Sequence, residues 1–118
     1  MVKDQTVLKE IREAVDFLEK YFKIKQIILF GSFLSGNFDE YSDIDLAIIS
    51  PDFENKTYEE IINVFAKLSV MSKNRIELHP FSENDFKNAK PTNFIGYLLK
   101  NGEVIFDDNK FITAYDQA

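Results

Sequence analysis

Gly31-Ser32 closes the apolar run Ile27-Ile28-Leu29-Phe30, and Asp43-Ile44-Asp45 opens a second, Leu46-Ala47-Ile48-Ile49. Side chains alternate between faces along a strand, so Asp43 and Asp45 share one face while Ile44 and Leu46 take the other. Two carboxylates held together in a low-dielectric setting repel, and one takes up a proton unless a cation bridges them. Magnesium suits that bridge, because it is hard, octahedral and commonly shared between carboxylates and substrate phosphates. Gly31, lacking a side chain, lets a phosphate approach the backbone amides. Amides at the opening of a helical turn favour an anion, and Ser32 adds a hydroxyl donor there. The expected ligand is a nucleoside triphosphate, held with magnesium; two such ions would divide the work. One ion would activate the attacking oxygen and the other would stabilise the leaving pyrophosphate. In-line displacement at the α-phosphate would then proceed mainly by positioning and electrostatics.

Arg75-Ile76-Glu77-Leu78-His79 also alternates polar and apolar, the pattern of a half-buried strand. The alternation places Arg75, Glu77 and His79 on one face. If that strand lies beside the one opened by Asp43-Ile44-Asp45, Glu77 becomes a third carboxylate in the cluster. Simpler readings exist for each piece. Gly-Ser can be a turn, Asp-x-Asp a solvated strand end, and Glu77 a surface partner of Arg75. His79, the only histidine, is expected to be structural or incidental, and Phe33 and Phe38 to be core or loop cover. The conjunction of turn, acidic pair and third acid favours a site.

Positioning these groups requires a scaffold. Leu8, Ile11, Val15, Leu18 and Phe22 recur at steps of three and four, predicting a helix over 4–22. Strands are predicted over 25–30, 44–50 and 75–79, with Pro80 ending the last, and a short helical turn over 32–37 with Gly36 as its stop. A helix is predicted over 57–69, with Tyr58, Ile61, Ile62, Phe65 and Leu68 inward and a capping-box spacing from Thr57 to Glu60. Ser82 and Asp85 predict a cap for a helix at 83–88. Residues 91–100 predict a last helix with Phe94, Ile95, Leu98 and Leu99 inward, stopped by Asn101-Gly102. A short edge strand is expected at 103–106 and a loosely held tail from about 107. The connection from 31 to 43 is too short for a parallel crossover, so the first two strands should be antiparallel, whereas the second and third, separated by a long helix, could be parallel. The fold class is therefore α+β, a two-layer arrangement of a small mixed sheet with helices packed against it, in a single domain over 1–118.

The chain has 118 residues, 45% apolar and 29% charged, enough for one domain with a core. It has no cysteine, which excludes disulfides, zinc-thiolate sites and a cysteine nucleophile. The net charge of −6 and scattered lysines disfavour nucleic acid as the main ligand. No apolar run reaches membrane-spanning length, and Met1 to Gln5 shows no signal-peptide core, so a cytoplasmic location is expected.

Leu29-Phe30-Gly31-Ser32-Phe33-Leu34-Ser35-Gly36, with Ser42-Asp43-Ile44-Asp45-Leu46-Ala47-Ile48, resembles the polymerase-β-like nucleotidyltransferase superfamily, and in particular its minimal nucleotidyltransferase (MNT) domains. The resemblance covers nearly the whole chain. It implies the nucleotidyltransferase fold and transfer of a nucleoside monophosphate, usually AMP from ATP, to a hydroxyl with two Mg2+ ions. It implies that Gly31, Ser32 and Ser42 bind the nucleotide, that Asp43, Asp45 and Glu77 are catalytic and bind metal, and that Glu77 helps activate the acceptor. Leu34-Ser35 stand where many relatives carry Ala-Arg, and glutamate stands at 77 where aspartate is more usual. The chain lacks room for an acceptor-selecting domain, so a partner protein or a second copy is expected to supply that surface. In this family MNT chains often act as antitoxins paired with a small helical HEPN protein. The alternatives are a weak or inactive nucleotide-binding antitoxin and a small-molecule transferase of the aminoglycoside type.

Overall fold

The computed structural model describes residues 5–32, 42–71 and 75–112. Helix α1 (Gln5–Leu18) leads into strand β1 (Gln26–Phe30), then β2 (Ile44–Ile49) and a 3-10 turn (Pro51–Glu54). Helix α2 (Tyr58–Met71), strand β3 (Ile76–Phe81), helices α3 (Glu83–Lys87) and α4 (Phe94–Asn101), and strands β4 (Glu103–Asp107) and β5 (Lys110–Phe111) follow. The predicted helical turn at 32–37, with Phe33, Leu34, Ser35 and Gly36, lies outside the described residues except for Ser32.

The sheet runs β3-β2-β1-β4-β5. As the connection lengths predict, β1 and β2 are antiparallel and β2 and β3 parallel. The two faces of this mixed sheet carry separate apolar clusters. On one, Ile27, Leu29, Ile44, Leu46 and Ile48 pack with α1 and α2 through residues such as Ile11, Val15, Leu18 and Phe65. On the other, Ile28, Ala47 and Ile49 lie under Ile95 and Leu98 of α4. Both neighbours of Asp45 in β2, Ile44 and Leu46, are fully buried against the α1–α2 side. Asp45 therefore faces the α4 side, where it is half-buried.

Several local expectations shift. Helix α1 stops at Leu18, yet Phe22 remains buried, edge-on to Phe53 and Phe65. Pro80 does not end β3. The Arg75 and Phe81 carbonyls accept from the Ile44 and Ser50 amides of the β2 segment, so alternation turns the backbone of Pro80 to the outer edge, where no donor is needed. In α2 the Glu60 amide donates to Thr57 Oγ1 at 3.2 Å, the predicted cap, while Tyr58 is exposed rather than inward. In α4, Ile95 and Leu98 are buried, but Leu99 and Phe94 are largely exposed. Ser82 and Asp85 form the reciprocal capping box. Strand β4 is not an edge, because β5 pairs outside it. Of the tail expected to be loosely held from about 107, residues 108–111 make a hairpin through Asp108 and Asn109, both at positive φ as a primed two-residue turn requires, and residues 113–118 lie outside the described residues.

Candidate active site

Strand register builds the site. Phe30 of β1 is opposite Asp45 of β2, and Asp45 is opposite Glu77 of β3. Residues directly opposite project from the same face, so the Asp45 and Glu77 carboxylates stand side by side with Phe30 flanking them. One row further along, His79 is opposite Ala47, a residue too small to fill the space above it. The imidazole leans back toward the acids: Nε2 lies 3.4 Å from Asp45 Oδ1 and 3.9 Å from Glu77 Oε1. The ring of Phe30 supports it at 5.1 Å between centroids. Phe94 of α4 packs edge-on against Phe30 at 5.5 Å, closing that side.

Among the described residues, Asp45, Glu77 and His79 offer ligand atoms that all lie within 4.8 Å of one another. Asp43 stands outside this group. It precedes β2 and is exposed, but its charge still acts on Glu77. The Glu77 carboxyl is raised above its ordinary value, first by partial desolvation and then by the neighbouring Asp45 charge; Asp43 and a hydrogen bond with Asp45 add to the rise, and His79 opposes it. That is the response expected where carboxylates converge without a compensating cation.

Gly31 follows β1 with φ +86°, a conformation that favours glycine. A Cβ placed there would lie 2.5 Å from Asp45 Oδ2. The turn and the acidic strand are thus fitted against each other, and the lack of a side chain at 31 leaves room for the Asp45 carboxylate. Ser32 is half-buried next to it. Ser42 is held by its carbonyl, which accepts from Arg75 Nε at 3.2 Å, while Arg75 Nη1 lies 3.7 Å from Glu10 of α1. Arg75 therefore does not join Glu77 and His79 as strict alternation predicts. It sits just before β3, and α1 draws its guanidinium to the other side. Its consequence for the site is to pin the entry to β2. A groove of about 400 Å³ runs between α2 and β3, lined by Asp43, Glu77, Phe65, Leu68, Ile76 and Leu78 among others.

The position of the His79 ring beside the two acids is what sequence reasoning did not foresee. The signal was present in the alternation that paired it with Glu77, but a lone histidine gives no reason to expect its ring to reach back one row.

Residues 12–111 match the family described as polymerase beta, nucleotidyltransferase. The chain belongs to that nucleotidyltransferase family. A candidate protein adenylyltransferase of Methanocaldococcus jannaschii is 31% identical over 100 residues, covering 83% of this chain and 96% of that protein. A second from the same organism is 31% identical over 65 residues, covering 54% of this chain and 65% of the relative. The nucleotidyltransferase fold recurs in a crystal structure of a candidate nucleotidyltransferase from Sulfolobus solfataricus, with a TM-score of 0.65 at 15% identity, covering 90% of this chain and 86% of that one. It recurs in a toxin–antitoxin structure with AMP-PNP, with a TM-score of 0.55 at 19% identity, covering 86% of this chain and 73% of that one. Membership implies a nucleoside triphosphate and a divalent cation. The donor set fits such a cation, since two carboxylates and an imidazole converge there. Among the described residues, no helix is long and apolar enough to cross a membrane.

Proposed function

We propose that this chain is a Mg2+-dependent adenylyltransferase that moves AMP from ATP to a hydroxyl on a partner protein, acting as the antitoxin of a HEPN/MNT-type pair. The observation that carries this reading is the in-register placement of Asp45 and Glu77 beside the glycine turn at Gly31. Asp43, Asp45 and Glu77 are assigned to metal binding and catalysis, and Gly31, Ser32 and Ser42 to the nucleotide. Two bound Mg2+ ions would supply charge neutralisation at the phosphates and a more acidic acceptor hydroxyl.

The protein's own groups then have definite tasks. Gly31 and Ser32 hold the triphosphate beside Asp45, so that the α-phosphorus faces the acids. Glu77, on an edge strand beside Asp45, is placed to receive the proton of an incoming hydroxyl. The new bond joins that oxygen to the α-phosphorus as the bond to the bridging oxygen breaks, and pyrophosphate leaves with the electron pair. The names of the M. jannaschii relatives support a protein acceptor, and the AMP-PNP-bound toxin–antitoxin neighbour supports the pairing. A cytoplasmic location accords with both.

The test is transfer of label from α-labelled ATP, with magnesium, to the protein encoded beside this chain. Transfer that requires magnesium and is abolished by Asp43→Ala/Asp45→Ala supports the proposal. Absence of transfer, or transfer undiminished in the double variant, overturns it. Absence of transfer together with undiminished neutralisation of the partner by the double variant would identify a binding antitoxin instead.

A further inference from the structure

Resting on the metal site proposed above, we propose that His79 is a third protein ligand of the divalent cation, giving the site a preference for manganese over magnesium. His79 is within hydrogen-bond reach of Asp45, but at a long distance that leaves its Nε2 shared between two acids. A charge-assisted contact between an imidazole and a carboxylate closes to about 2.7–2.9 Å. His79 Nε2 stands 3.4 Å from Asp45 and 3.9 Å from Glu77, longer than that on both sides. Ligands about 2.1 Å from one octahedral cation lie roughly 3.0 Å apart at right angles and 4.2 Å apart when opposite. The observed separations exceed the right-angle spacing by only about 0.4 and 0.9 Å, a closure within reach of side-chain rotation once an ion enters. The ring is also held in place, resting on Phe30 at 5.1 Å with small Ala47 opposite it in the register.

An imidazole in the donor set changes which ion is preferred. Magnesium favours oxygen ligands and gains little from a nitrogen, whereas manganese, an oxygen-preferring ion but the first of the divalent transition series, gains more from an imidazole beside carboxylates. A neutral His79 with its proton on Nδ1 presents the Nε2 lone pair to the position shared by the two acids. Two carboxylates alone would serve magnesium; the third donor tips the balance.

The test is direct binding to the full chain without nucleotide. Manganese is titrated by electron paramagnetic resonance of the free ion, and magnesium by its competition with manganese. The expected result is that His79→Ala lowers manganese affinity about tenfold or more, while magnesium affinity changes by less than about threefold. Pulsed resonance on the wild-type protein is expected to show nitrogen coupling from a bound imidazole, a reading that does not depend on how any variant folds. Absence of that coupling overturns the inference, as does an equal loss of both metals in His79→Ala, which would mark His79 as a residue that only positions Asp45. Either outcome leaves the carboxylate metal site standing. Failure of wild-type protein to bind either ion overturns the site and the inference together.

Discussion

Gly31→Ala separates backbone strain from crowding at the acidic cluster. The residue has φ +86°, where a Cβ costs about 1–2 kcal/mol. The added methyl would lie 2.5 Å from Asp45 Oδ2, against 3.4 Å for ordinary contact, so the oxygen must retreat by about 0.9 Å. The combined loss is expected to be about 1–3 kcal/mol of stability, read from urea denaturation midpoints. The functional loss should be larger, since displacing a catalytic group by about 1 Å costs on the order of 10²-fold in rate. Asp45→Ala removes the colliding oxygen, so Gly31→Ala should cost less in that background, leaving a coupling of roughly 0.5–1.5 kcal/mol in the double-mutant cycle. Equal costs in the two backgrounds would refute the contact between Gly31 and Asp45. A cost near zero in both would refute the strained turn as well.

Further outcomes follow from the same geometry. The Glu77 carboxyl is raised above 4.5, first by desolvation, so the folded chain binds more protons than the unfolded one between pH 4.5 and the raised value. Stability contributed by protonated Glu77 is present at low pH and falls as pH rises through that window; denaturation midpoints of metal-free protein should therefore decline with pH more steeply in the wild type than in Glu77→Gln, and parallel curves would refute the shift. Arg75→Ala removes the bond to the Ser42 carbonyl and the pairing with Glu10, with an expected loss of about 1.5–3 kcal/mol. Arg75→Lys should recover less than half of it, as measured by thermal or urea unfolding, because a point-charge ammonium cannot reach both partners. Gly96→Ala would drive a Cβ into the Lys90 carbonyl and lower stability by about 1–3 kcal/mol, with little effect on metal binding measured calorimetrically.

Much of this architecture was legible because period-two alternation and connection length are local properties. The short link after Ser32 dictated an antiparallel β1–β2 pair, and the helix between β2 and β3 allowed the parallel one that sets Glu77 beside Asp45. What escaped depended on partners distant in sequence. Arg75 follows Glu10 of α1 rather than its own strand, and the His79 ring reaches back toward Asp45. Pro80 reads as a strand terminator until β3 is known to be an edge. Asp108-Asn109 reads as polar tail until both residues adopt positive φ and reverse the chain into β5.

The central claim is that Asp45 and Glu77 jointly hold the metal while Gly31 and Ser32 hold the triphosphate. A crystal structure with manganese and an ATP analogue carrying a methylene between the α and β phosphorus tests it most directly. The account predicts an anomalous peak bonded to carboxylate oxygens of both Asp45 and Glu77, at about 2.0–2.3 Å, with the triphosphate against the Gly31-Ser32 backbone. Manganese bound elsewhere, or a triphosphate seated away from that turn, would contradict it.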